Sequence, residues 1–118
     1  MNPEVTIVNC TPHAIVLRDE NGVDTTFPPS GIKARCASVQ EDDFFFRMAL
    51  GYPVVVNKTG EVEDLPEPVW HTCYIVSSMV AQHPSIAGIR LDVVAPDTGA
   101  TAIRENGQVV AVRRFQRF

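Results

Sequence analysis

Apolar and polar residues alternate in short runs along this chain, broken every few positions by proline, glycine or an Asn-Gly pair. Val5-Thr6-Ile7-Val8-Asn9 is rich in β-branched residues and predicts a strand. Thr11-Pro12 interrupts it, and His13 to Arg18 resumes it. Asp19-Glu20-Asn21-Gly22 carries Asn-Gly, the strongest short hairpin signal, so Val23 to Phe27 is the returning strand, closed by Pro28-Pro29-Ser30-Gly31. Ile32 to Val39 predicts another strand, with Ile32, Ala34 and Cys36 on one face. Pro53 to Asn57 and Thr72 to Val76 read as strands; between them Thr59-Gly60 opens a turn and Glu61 to Pro68 is an acidic, proline-bounded connection. Ile89 to Val94 is a further strand, and Glu105-Asn106-Gly107 joins Ala102–Arg104 to Val109–Phe115 as a last hairpin.

Two stretches depart from this period. Acids at Glu41-Asp42-Asp43, then Phe44 to Leu50 and Gly51, fit a short helix or a projecting turn. Ser77 or Ser78 can cap a short helix through Met79 to Gln82, because a hydroxyl there satisfies free backbone N–H groups. The expected fold is therefore mostly β, of the α+β kind: a single antiparallel β-sheet core with one or two short helices, in one domain over residues 1–118. Phe44, Phe45 and Phe46 cannot all point inward from a regular element. They face either a partner subunit or neighbouring loop, or the core.

Composition narrows the class. The chain is long enough to bury a core, and its nine prolines and seven glycines suit many turns. No apolar run approaches the ~18 residues of a membrane span, so no membrane is expected. Met1-Asn2-Pro3-Glu4 lacks the basic region of a secretory signal, and three cysteines without one point to reduced thiols and a cytoplasmic setting. Residues 104–118 hold four arginines against one glutamate, a net +3, which leaves −7 on the rest of a chain totalling −4. An acidic body excludes a general nucleic-acid binder, which needs a broad basic face. A local basic patch suits a small anionic ligand.

That patch is the end of the chain. In an extended Val109 to Phe118, Arg113, Phe115 and Arg117 share a face; in a helix Arg113 and Arg117 still do. Guanidinium forks match phosphate oxygens and a phenyl ring stacks on a base, so a nucleotide site is one reading. The other is a solvated edge strand whose arginines deter strand-to-strand aggregation. The Asn9-Cys10-Thr11-Pro12-His13 bend either turns a strand at a sheet corner or presents Thr11 and His13 to a pocket. Asp97-Thr98-Gly99 raises the same pair of readings, since an aspartate near arginines can hold their forks or bond a ribose hydroxyl.

Cys10, His13, His71 and Cys73 are residue types that hold zinc, but neither pair has the usual ligand spacing, and buried cysteines with ordinary histidines account for them equally. No metal and no cofactor is expected. A Cys/His nucleophile would need an orienting group and an oxyanion site that no local motif supplies. There is no phosphate-cradling glycine loop either. The expectation is a protein that is not an enzyme.

The Asn9-x-Thr11-Pro12-His13 bend, the Pro29-Ser30-Gly31 turn, the Tyr74-Ile75-Val76-Ser77 strand, the Ala95-Pro96-Asp97-Thr98-Gly99 turn and the Arg104…Asn106-Gly107 hairpin occur together, in this order, in small phage and prophage proteins. Over most of its length the chain resembles the first type of Thoeris anti-defence protein. These are phage sponges that sequester the cyclic ADP-ribose isomer made by bacterial TIR-domain enzymes, and some also hold cyclic dinucleotides at separate sites. The resemblance implies a β-sheet core with short helices, homo-oligomers (a dimer or multiples of dimers) with ligand pockets between subunits, and action in the host cytoplasm. It assigns the ligand grip to Arg113 and Arg117, aromatic contact to Phe115, and polar contacts to Asn9, Asp97 and Thr98. Phe44–Phe46 stands outside the quoted pattern. The alternative function is a small structural or protein-interaction β domain of phage or prophage origin.

Overall fold

The hydrophobic runs pair as strands around one buried cluster. The computed structural model describes residues 5–118; Met1–Glu4, read above as lacking a secretory signal, lies outside them. Among the described residues ten strands and two short helices follow in the order β1 (Thr6–Asn9), β2 (Ile15–Arg18), β3 (Asp24–Phe27), β4 (Arg35–Asp42), α1 (Phe44–Leu50), β5 (Val55–Glu63), β6 (Thr72–Ile75), α2 (Ser78–Ala81), β7 (Val93–Pro96), β8 (Ile103–Glu105), β9 (Gln108–Ala111) and β10 (Phe115–Gln116). The fold is mostly β with two short helices, as expected.

The antiparallel expectation holds for three two-stranded units, β2–β3, β4–β5 and β8–β9, and for β10 on β7. The core sheet, however, has the order β1-β6-β7-β10, and β1, β6 and β7 run parallel, so the core is not a single antiparallel sheet. The reason lies in the connections. Residues 10–71, between β1 and β6, and residues 76–92, between β6 and β7, are long enough to return the chain to the same end before the next strand starts, and a parallel neighbour needs that crossover. Cys10, Tyr74, Val76, Val80, Ala81, Ile86, Val93 and Ala95 form the core between this sheet and α2. Ser77 caps α2 by accepting the Val80 N–H.

The β4–α1–β5 unit leaves this body as an arm. The molecule measures 58 × 38 × 25 Å with a radius of gyration of 17.8 Å, whereas a compact domain of this length has about 13.5 Å. Asp43 caps α1 by accepting the Phe46 N–H, and Gly51, in the left-handed region at φ 77°, closes it with its N–H on the Arg47 carbonyl. The helix buries none of its residues, so the aromatic run serves no core.

Strand β5 runs on through Thr59-Gly60, where a turn was expected. The pairing shifts there, with Cys36 opposite Val62 but Ser38 opposite Thr59, and Gly60 sits in the resulting bulge. A Cβ on Gly60 would lie 3.0 Å from that of Ala37, so the glycine permits close strand approach. Strand β4 starts at Arg35 rather than Ile32, because the Ala34 N–H is spent on the Cys10 carbonyl at the sheet end. Strand β7 likewise starts at Val93 rather than Ile89, the preceding residues forming turns after α2.

Candidate functional site

The carboxyl-terminal run is two short pairings with a bend between them. After β9, Val112 bridges Leu17 in parallel: its N–H donates to the Val16 carbonyl and its own carbonyl accepts from the Arg18 N–H. Three residues later Phe115 pairs with Pro96 of β7. Arg113 and Arg114 span the gap, both exposed between the buried Val112 and the half-buried Phe115. The strict alternation expected of one extended strand therefore does not run through this stretch. The Phe115 ring meets Phe27 edge-on, with centroids 5.9 Å apart.

The bend opens a cavity of about 390 Å³ lined by Leu17, Arg18, Asp19, Glu20, Thr101, Arg113 and Arg114. Its guanidinium groups differ in what they are free to do. Arg18 grips Asp24 through two nitrogens at 2.7 and 3.1 Å. Arg114 donates to Asp97 at 2.6 Å, which together with the Gly99 N–H holds that carboxyl below its ordinary value. Arg113 has no carboxylate or carbonyl partner among the described residues, and neither has Arg117; only Arg47, out on the arm, shares that condition. Asp19 spends its carboxylate on the Asn21 and Val23 N–H groups of the hairpin turn. The Thr101 hydroxyl is buried and makes no hydrogen bond, the only buried side-chain polar atom among the described residues in that state. An exposed guanidinium without a carboxylate partner is a group that an oxyanion satisfies.

The other residues singled out from the sequence lie close to this corner but do different work. Asn9 is buried, and its amide donates to the carbonyls of His13 at 2.8 Å and Phe27 at 2.9 Å while accepting from the Thr11 N–H. The buried Thr11 hydroxyl lies 2.7 Å from Asn9 Oδ1 and 2.9 Å from the His13 carbonyl. The Asn9 carbonyl accepts both the N–H and the hydroxyl of Ser30. Asn9 and Thr11 thus hold the sheet corner, and His13 presents an exposed ring beside it. Asp97 turns its carboxylate to Arg114 and Gly99, and Arg104 holds the turn through the carbonyls of Thr98 and Gly99. The Thr98 side chain lines a separate cleft of about 210 Å³ between β2 and β9. Arg117 lies beyond β10, one residue from the Phe118 carbonyl that accepts the Gly88 N–H, and is not part of the Arg113 cavity.

Arg18, Arg114 and Thr101 were missed from the sequence. The parallel Leu17–Val112 bridge gathers them, and no local pattern announces a bridge between two hairpins. Among the described residues no group of three or more His, Cys, Asp or Glu side chains could hold a metal ion. Cys10 is fully buried in the core, where burial raises its thiol pKa; burial and, secondarily, Asp92 do the same at Cys73. No helix among the described residues is long and apolar enough to cross a membrane. Set against protein-family models, curated proteins and solved structures, the chain matches none of them.

Proposed function

We propose that this protein binds and sequesters a small anionic nucleotide, a cyclic nucleotide immune signal of the cyclic ADP-ribose class, without turning it over. The observation that carries the reading is the Arg113 corner: an exposed guanidinium with no carboxylate or carbonyl partner among the described residues lines a cavity whose volume falls within the usual range of ligand sites. The resemblance to the Thoeris anti-defence sponges supports the same ligand class, and in such sponges the pocket is completed between subunits. Arg117, outside the Arg113 cavity of its own subunit, then meets ligand held across an interface. Sequestration needs tight binding and no acid–base machinery. Nanomolar affinity is about −12 kcal/mol, for which charge-assisted phosphate bonds and a stacked base are sufficient sources.

The test is calorimetric titration with cyclic ADP-ribose isomers and cyclic dinucleotides, followed by mass analysis of the released ligand. Binding with the ligand returned intact, weakened about 10–100-fold by Arg113→Ala, is the expected result for one lost charge-assisted bond. Arg117→Ala weakens it by a comparable factor. Indifference to every nucleotide, or normal binding by both variants, refutes the reading. A released product of changed mass makes the protein an enzyme instead.

A further inference from the structure

Next to the Arg113 cavity the seam between β2 and the carboxyl-terminal run opens a second time, and there its chemistry reverses. The cleft of about 210 Å³ is walled by Ile15, Val16, Pro96, Val109, Val110 and Val112 and holds no charged residue. The cavity beside it is lined by Arg18, Arg113 and Arg114 with Asp19 and Glu20. The two adjoin: Val16 and Val112 line the cleft, and the next residues along each wall, Leu17 and Arg113, line the cavity.

Strand pairing supplies the apolar cleft with one fixed donor. The Asp19 N–H bonds the Val23 carbonyl, so in the β2–β3 register Ile15 and Leu17 turn their backbone groups to β3, while Val16 and Arg18 turn theirs away. On that outer side the Val16 carbonyl and the Arg18 N–H are both bonded to Val112. The Val16 N–H points the same way, one step before the bridge. The bridge is a single isolated pair, so the strands part at this step and the Val16 N–H has no partner among the described residues. Thr98, exposed and also lining the cleft, adds a hydroxyl in the same condition.

We propose that this cleft receives the heterocyclic base of the nucleotide whose phosphate Arg113 holds, with the Val16 N–H donating to a ring nitrogen or carbonyl oxygen of that base. The inference rests on the reading above and moves the base away from Phe115. That ring is half-buried, meets Phe27 edge-on and lines neither concavity. A nucleotide joins a neutral planar ring to an anionic group, and the seam joins a neutral apolar slot to a cationic cavity. The two volumes together fall within the usual range of ligand sites. Aliphatic walls gain from covering the ring faces, and the backbone donor fixes one ring edge. A wholly aliphatic ligand would cover the Val16 N–H and give it no acceptor, which costs free energy.

The test uses the full chain with two probes, cyclic ADP-ribose isomers and inorganic pyrophosphate, which carries the anionic group and no base. In amide-resolved NMR titration the Val16 N–H is expected to move downfield with the nucleotide and to stay put with pyrophosphate. Ala14 is exposed on the cleft wall, so Ala14→Phe fills the cleft from outside the core. It should weaken nucleotide binding about 10–100-fold, the worth of one buried base, and leave pyrophosphate binding unchanged. A Val16 amide that ignores the nucleotide, or moves equally with pyrophosphate, overturns the proposal whether or not the variant folds. So does an Ala14→Phe chain that binds nucleotide as the wild type does, or a folded one that loses both probes equally. Tight nucleotide binding with any of these results leaves the Arg113 reading standing and removes only the base site. Indifference of the wild type to every nucleotide removes both.

Discussion

The sheet body and the β4–α1–β5 arm draw on the same residue types and are held in different ways. In the body, Cys10, Ile75 and Val76 are wholly buried, and one cluster joins the sheet to α2. In the arm most residues are exposed; a cross-strand ladder, two helix caps and ion pairs such as Lys58–Glu41 maintain it. Its root is tied at two points: the Cys36 thiol to the Met79 carbonyl, and His83 Nε2 to the Gly60 carbonyl at 2.9 Å. The Ser85 N–H points at His83 Nδ1, which assigns the ring proton to Nε2 and makes this tie a donated bond. Burial is cooperative and pairing is local, so the body sets the global stability and the arm is free to spend its apolar residues outward.

The largest effects fall in the body. Ile75→Ala should cost about 2–5 kcal/mol in urea denaturation, from lost transfer energy and the cavity left behind. Phe45→Ala, a larger truncation at an exposed position, should move the monomer by less than about 0.5 kcal/mol. Equal costs at the two positions would dissolve the distinction between body and arm. Asn9→Ala comes next, at about 2–3 kcal/mol, because it leaves buried partners of the amide unsatisfied. As Asn9 bonds the Phe27 carbonyl from β1, amide exchange in β2–β3 should rise first in that variant.

This network explains which parts of the protein were legible in sequence. The short motifs that carry the resemblance hold one another: the Asn9 bend bonds Phe27 and the Ser30 turn, and Arg104 of the last hairpin bonds the Asp97-Thr98-Gly99 turn. Hairpins closed by Asn21-Gly22 and Asn106-Gly107 and the Ser77 cap were readable because their signals are local. The parallel order of β1, β6 and β7 was not, since it depends on which distant strands share a buried face. For the site, Arg113 stood out as one of three arginines in five residues, whereas Thr101 and Arg18 reach the same cavity only through the Leu17–Val112 bridge. The Phe44–Phe46 run was read correctly as more than one face can bury; its outward placement on an arm needed the structure.

Acid sharpens the same contrast. Asp92 is held low chiefly by its two bonds from Arg90, Asp24 by its bond from Arg18, and Asp97 by Arg114 and the Gly99 N–H. A carboxyl whose folded value lies below its unfolded one contributes stability that is complete above the unfolded value, near pH 4, and lost as pH falls through the folded value. Urea midpoints should therefore hold from neutrality to about pH 5 and drop below pH 4. Asp92→Asn should flatten that drop more than Asp24→Asn, because the Arg90–Asp92 pair is the less exposed. Identical profiles for the two variants would assign the acid response to neither pair.

The smallest global effect should come from the arm tip and be the most discriminating. Asp43→Ala removes the α1 cap, a local loss of about 1 kcal/mol. Since α1 buries nothing within its chain, that loss has no route to the body: the urea midpoint of the monomer stays put while amide exchange across Phe44–Leu50 accelerates. Asp43→Asn keeps the cap and deletes only the charge, so it should leave the exchange of α1 unchanged. If Asp43→Asn accelerates that exchange as much as Asp43→Ala does, the charge at the tip and not the cap orders α1.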